Sequence, residues 1–210
     1  MAERDSRTAR PVPIRLLLAS SNAGKLREYR DLARDSVFDL DLLPNFRDLA
    51  QFEETAPTFA ENALGKALHY GRSTNELVIA EDSGLVVPAL GGAPGVHSAR
   101  YAGPRGTDGE CVEKLLRAMQ GKQQSERQAR FVCVIAVTHG GRALAVVSDF
   151  VEGVIALEPR GTNGFGYDPI FLLPDLGRTS SEISENEKNR ISHRGKAFRK
   201  TLDILTDSSF

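Results

Sequence analysis

Two long runs, Arg130–Val137 and Arg142–Ala156, flank His139-Gly140-Gly141 and constrain this chain more than any other stretch. Glycines supply the backbone freedom of a tight reversal, so the two runs read as one long antiparallel hairpin. The chain before it has a different rhythm. Ile14–Ala19 is a short continuous apolar run, as a strand buried on both faces requires. Gly24–Ala33 reads as a helix with Leu26, Tyr29, Leu32 and Ala33 on one side, and Val37–Leu43 as the next strand. Thr58-Phe-Ala-Glu61, after Pro57, is a capping-box signature. The helix it opens turns Phe59, Ala63 and Ala67 inward with Leu64 and Leu68, while Asn62 and Lys66 share another face four residues apart. Leu77–Ala80 is a strand that ends in Glu81-Asp82-Ser83-Gly84; Asp108–Met119 is helical. Two helices, about 180–188 and 192–206, close the chain, the second with Phe198, Leu202 and Leu205 inward. Helices alternating with strands, then a hairpin, predict an α/β chain with a mixed β-sheet flanked by helices.

The chain has 210 residues, 40% of them hydrophobic, which suits one large domain or two intimate lobes. It shows no internal repeat, low-complexity tract or linker. Residues 1–13 carry Arg4, Arg7 and Arg10 beside Glu3 and Asp5, without an apolar signal core, and read as a flexible N-terminal extension before a single domain over 14–210. Basic and acidic residues nearly cancel, 27 against 28, so no global field favours direct nucleic-acid binding or an anionic membrane. No apolar stretch approaches membrane-spanning length. Cys111 and Cys133 are the only cysteines, which fits a reduced, cytoplasmic protein without a disulfide framework.

Ser20-Ser21-Asn22-Ala23-Gly24-Lys25 follows the first strand and opens a helix, the place of a phosphate-binding P-loop. A P-loop requires glycine where Ala19 stands, and a magnesium-ligating hydroxyl where Leu26 stands. The P-loop reading fails. What survives is a small-residue loop whose amides and Lys25 suit a phosphate. An ordinary turn with Ser21 or Asn22 as N-cap explains the fragment alone at least as well. Magnesium would then need carboxylates, and two clusters offer them: Glu53-Glu54 in a loop, and Glu81-Asp82 where open α/β sheets place ligands. Capping of the next turn is the competing explanation for Glu81-Asp82. GTNGFGYDPIF, residues 161–171, combines glycines that admit a ligand with Phe165 as a stacking face, unless its aromatics simply enter the core. Lys188, His193, Arg194 and Lys196 gather cations and donors about a helix start, which is also what a solvated basic face looks like.

Taken together these pieces make a kit for a nucleotide. SSNAGK, FEETAPTFAENALGKA, AEDSGL, LGGAPGVHSARYAG, GTNGFGYDPIF and ISHRGKA occur in order. Over roughly residues 14 to 206 the chain resembles the inosine triphosphate pyrophosphatase family, the noncanonical purine NTP pyrophosphatases. The resemblance implies magnesium-dependent hydrolysis of ITP, dITP and XTP to the monophosphate plus pyrophosphate, which cleanses the nucleotide pool. It also implies a homodimer, and an elongated sheet in two lobes with the active site in the cleft between them. By position, Ser20 to Lys25 match the triphosphate loop, Asp82 the proton acceptor and Ser83 a substrate contact. Glu53 or Glu54, with Glu81 and Asp82, match the magnesium ligands, and Lys66 a phosphate-facing lysine. Phe165, Gly166, Tyr167 and Asp168 match the nucleoside loop; Lys188, Ser192, His193 and Arg194 match the base-reading end. Glu81 departs from the family, many bacterial members having Asp there, and residues 1–13 have no counterpart.

Overall fold

The computed structural model describes residues 13–207, so the expected extension lies, but for Pro13, outside the described residues. The first apolar run forms β1 (Ile14–Leu18), whose Leu16, Leu17 and Leu18 are fully buried. It lies between two parallel neighbours, β2 (Phe38–Leu42) and β3 (Leu77–Val86). The helices α1 (Ala23–Ala33) and α2 (Phe59–Gly71) make the crossovers. The expected hairpin is present as β4 (Gln128–His139) and β5 (Arg142–Ile155). Two short strands that the sequence pattern did not separate, β6 (Phe171–Leu173) and β7 (Arg178–Thr179), complete a seven-stranded sheet in the order β2-β1-β3-β4-β5-β6-β7. It is parallel at the β2 end and antiparallel from β3 onward, so the mixed α/β architecture is as expected.

Both faces of the parallel end are covered, which is why its strands read as unbroken apolar runs. On one face α1 and α5 (His193–Asp207) bury Leu16, Leu18, Ile79 and Ile135 against Phe198, and Tyr29 meets Phe198 edge to face at 4.6 Å. On the other, α2 lays Ala63 and Ala67 over Leu17, Val78 and Ala80. A third cluster joins Leu115 of α3 (Asp108–Ala118) to Leu85, Phe171 and Ile183.

Two boundaries differ from the sequence pattern. The strand expected to stop at Ala80 runs on to Val86, because every residue from Leu77 to Val86 pairs with β4. Glu81 and Asp82 therefore sit inside the sheet. The helix expected from 180 begins instead as α4 (Glu185–Ile191), since Ser184 accepts the Glu187 N–H and caps it there; Ser180–Glu182 is a separate 3-10 turn. At α2 the capping box is half made. Thr58 accepts the Glu61 N–H at 3.2 Å, but the Glu61 carboxylate takes the Thr58 hydroxyl and not its backbone N–H.

Candidate active site

The loop after β1 is an N-cap: Asn22 Oδ1 accepts the Lys25 N–H at 3.0 Å, and Ser20 Oγ accepts the Asn22 N–H at 3.1 Å. The dull explanation for SSNAGK thus holds locally, and the loop also borders two cavities. Ser20 and Ser21 line one of about 610 Å³, together with Arg47, Gln51, Glu54 and Lys66. Asn22, Gly24 and Lys25 line the other, of about 540 Å³, together with Ser83, Phe165, Lys188, His193 and Arg194.

Because side chains alternate along a strand, the adjacent acids of β3 point to opposite faces. Glu81 shares the α1 and α5 face with Leu77 and Ile79. Arg194 grips it in bidentate fashion, Nε to Oε2 at 2.9 Å and Nη2 to Oε1 at 3.0 Å, and Lys25 Nζ lies 2.6 Å from Oε1. The Tyr29 hydroxyl also donates to Oε2, and Arg194 Nη1 reaches Glu28 at 2.6 Å. Burial alone would raise the Glu81 carboxyl, but the Arg194 and Lys25 charges override it and hold it well below the usual carboxylate range. Glu81 was expected as a magnesium ligand; here both its oxygens already serve cations and a phenol. Asp82 faces α2. Asn62 donates to its Oδ2 at 3.0 Å and the Ser83 N–H to its Oδ1 at 3.0 Å. Burial first, then the nearby Glu54 charge, push its carboxyl up from 3.8 to about 6.

Glu54 pairs with Lys66, whose Nζ also donates to the Glu81 carbonyl at 3.0 Å, and Arg100 holds the Glu54 carbonyl at 2.7 Å. Glu53 has an exposed side chain and lines neither cavity. Glu54 and Asp82 are therefore the two acids of the expected set whose charges act on one another; each Asp82 oxygen accepts a single hydrogen bond, and Glu54 Oε2 has no partner among the described residues. Magnesium asks for no more than one or two carboxylates beside waters and substrate phosphates, so this donor set fits it.

The glycine-rich loop is pinned at two consecutive amides. Asp168 Oδ2 accepts the Phe165 N–H at 2.9 Å, and Asp108 Oδ2, at the start of α3, accepts the Gly166 N–H at 2.7 Å. Gly164 has φ +79, and a β-carbon there would stand 2.1 Å from Asp168 Oδ2, so glycine is required on both counts. The Phe165 ring, 44% exposed, is held 4.8 Å below Lys188 Nζ, while Tyr167 is buried with its hydroxyl donating to the Ser98 carbonyl at 2.8 Å. Lys188 is itself paired with Asp168. His193 stacks on Phe131 with ring centres 4.9 Å apart, and burial followed by the Arg194 charge drive it well below its usual pKa, so the imidazole is neutral. Its buried Nδ1 has no hydrogen-bond partner among the described residues. Ser192 accepts the Gly195 N–H at 3.0 Å as a helix cap and is not part of the cleft wall.

The sequence profile of the Ham1 family matches residues 16–204. The chain belongs to the Ham1 family. It is 49% identical over 185 residues to the dITP/XTP pyrophosphatase of Geobacillus kaustophilus, covering 88% of this chain and 91% of the relative. It is 43% identical over 189 residues to the Bacillus subtilis protein of the same name, covering 90% and 96%. Among solved structures, a HAM1 protein from Coxiella burnetii superposes with a TM-score of 0.84 at 43% identity, over 93% of this chain and 100% of the other. The Staphylococcus aureus Ham1 protein gives 0.82 at 38%, over 91% and 98%. Within this Ham1 chain, Glu28, Asn62, Arg100 and Asp108 join the site without having been singled out for it from the sequence. Glu28 had a signal, lying three residues after Lys25 on a helix and so on the same side. Arg100 and Asp108 had none, because they reach the site from the end of a 3-10 turn and the start of α3, far along the chain.

Proposed function

We propose that this chain is a nucleoside triphosphate pyrophosphatase that hydrolyses noncanonical purine nucleotides, ITP, dITP and XTP, to the monophosphate and pyrophosphate. One observation supports this above others: groups from both cavities surround Asp82. Its neighbour Ser83 lines the aromatic one, and Glu54 and Lys66, whose charges act on its carboxyl, line the other. A nucleotide with its base by Phe165 has its phosphates run along Ser20 to Lys25, with the α-phosphorus by Asp82 and the β- and γ-groups beyond it.

Glu54 and Asp82 would hold magnesium. Bound there, the ion supplies positive charge to the phosphate oxygens. Asp82 orients the attacking water and accepts its proton. The water oxygen bonds to the α-phosphorus as the α–β bridging oxygen departs with the bonding electrons on pyrophosphate. Lys25 and Lys66 release their carboxylate partners to neutralise the charge that develops. On the base, Phe165 stacks without regard to identity, since every purine has a π-face. Selection falls to donors at the edge. Each terminal nitrogen of Arg194 keeps a second N–H beyond those given to Glu81 and Glu28, and a keto group at position six accepts where an adenine amino group opposes.

The protein works as a homodimer in the cytoplasm. β5 supports the dimer: it pairs with β6 only at Val154 and Ile155, leaving the rest of that edge without a strand among the described residues, beside the exposed Leu144, Val146 and Phe150. Two unpaired, buried cysteines support a reducing compartment. Product analysis on ITP, XTP, dITP, GTP and ATP with magnesium tests the central reading. Pyrophosphate from the first three is expected; orthophosphate, or no turnover, overturns it.

A further inference from the structure

The cavity beyond Ser20 and Ser21 has a wall that the reaction above does not use. Six lysine and arginine side chains line the two cavities, and five of them are already paired. Lys25 is held by Glu81, Arg27 by Glu185, Lys66 by Glu54, Lys188 by Asp168, and Arg194 by Glu28 and Glu81. The sixth, Arg47, makes no ion pair or side-chain hydrogen bond with any described residue.

An exposed arginine on a loop is ordinarily just solvated, and what sets Arg47 apart is how its turn is held. Asn45 adopts a left-handed φ of 56, a conformation asparagine tolerates, and its carbonyl accepts the Asp48 N–H at 2.8 Å. On either side of Arg47, Phe46 and Leu49 pack onto the α2 core cluster, and the Phe46 ring lies 4.6 Å from that of Tyr70. The guanidinium is thus carried by an anchored turn on the wall of the cavity that holds Ser20, Ser21 and Lys66.

We propose that Arg47, with Gln51 beside it, receives the departing pyrophosphate. It is an anion-binding residue for the β- and γ-phosphoryl groups, and not for the α-phosphorus or the base. The proposal rests on the preceding reading, in which pyrophosphate leaves into this cavity. Two physical arguments carry it. A guanidinium presents a planar fork that matches two oxygens of one anion, which the ammonium groups of Lys25 and Lys66 cannot do. Those lysines must also give up a carboxylate to meet a phosphate, so their gain on binding is offset by a lost ion pair. Arg47 gives up only water.

Calorimetric titration of the full chain with pyrophosphate, and separately with inosine monophosphate, both with magnesium present, tests this. Arg47→Ala is expected to raise the Kd for pyrophosphate about tenfold, the scale of a lost hydrogen bond to a charged group, and to leave the monophosphate Kd within about twofold. Arg47→Lys is expected to fall between. An unchanged pyrophosphate Kd in Arg47→Ala makes Arg47 a solvated surface residue and ends the proposal. Equal weakening of both ligands ends it too, because the substitution then acts by moving the turn. Failure of the underlying reading looks different: the unmodified protein would release orthophosphate, whatever residue occupies position 47.

Discussion

Adjacent acids on β3 should respond to neutralisation with opposite signs. Asp82→Asn removes a carboxylate that burial and Glu54 disfavour. A displacement from 3.8 to about 6 corresponds, at about 1.4 kcal/mol per pH unit, to about 3 kcal/mol of penalty on the folded state. The amide keeps one oxygen for Asn62 or for the Ser83 N–H but not for both, which returns about 1 kcal/mol. A net gain near 2 kcal/mol raises Tm by about 4–8 °C in a chain of this size. Glu81→Gln does the reverse. It leaves the buried Arg194, with the partly exposed Lys25, around an uncharged amide, and breaking a buried pair this way costs about 3–5 kcal/mol.

The pH dependence separates these effects from chance. Below its ordinary 3.8, Asp82 is protonated folded or unfolded and contributes nothing. Between that value and about 6 the folded chain holds the extra proton, so stability falls as pH rises, and above about 6 the whole penalty is present. The advantage of Asp82→Asn therefore opens between about pH 4 and 6 and stays level above. Glu81 is held low in the folded state, so its contribution is complete above its ordinary 4.5 and is lost only in stronger acid. Scanning calorimetry in EDTA at pH 4.5 and 7.5 reads both. Magnesium added at pH 7.5 should stabilise the unmodified chain and not Asp82→Asn. The reasoning fails if Asp82→Asn is less stable than its parent at pH 7.5, or if its advantage does not shrink toward pH 4.

Three further outcomes are expected. EDTA abolishes turnover and magnesium restores it, and Glu54→Gln raises the magnesium needed for half-maximal activity by about tenfold or more, whereas Glu53→Gln leaves it unchanged. Lys25→Ala lowers kcat/KM for ITP by about a hundredfold with little loss of Tm, because Glu81 keeps Arg194; an unchanged kcat/KM would reduce SSNAGK to a helix cap. Phe165→Ala lowers kcat/KM for ITP, XTP, GTP and ATP by a similar factor, about 1–3 kcal/mol for a lost base stack, while His193→Ala lowers ITP and XTP use more than ATP use. Equal losses across all four substrates in His193→Ala would leave base selection to Arg194 alone.

The sheet was legible because its pattern is local. Unbroken apolar runs betray strands covered on both faces, and Gly140-Gly141 betrays the hairpin. Both end helices carry caps at the right spacing, and of the two only the start of α4 was misplaced, where caps at Thr179 and Ser184 compete. The site was legible as a set of residues but not as an arrangement. Lys25, Lys66, Phe165 and Lys188 stand near cavities where a nucleotide reading puts them. Their partners in the free protein were not foreseeable, because Glu28, Arg100 and Asp108 contact the site across 166, 46 and 58 positions of chain.

What the sequence hid most effectively was the division between Glu81 and Asp82. Read as the end of a strand, the two acids form one cluster that repels itself and asks for a cation. Placed inside a strand, they cannot share one, since the pleat sends them to opposite sides of the sheet. Glu81 meets Arg194, Lys25 and Tyr29 on one side, and Asp82 meets Asn62, Glu54 and Lys66 on the other. One acid is charged because cations surround it, and the other is held back from ionising by its burial and by the Glu54 charge. Lys25 and Lys66 touch this strand from both sides, one on the Glu81 carboxylate and the other on its carbonyl. A triphosphate that draws both lysines away therefore loosens Glu81 from the phosphate side while Arg194 continues to hold it from the base side. In the proposed binding mode the same strand links the two ends of the nucleotide, and a one-residue shift in its register against β4 would turn each acid to the opposite face.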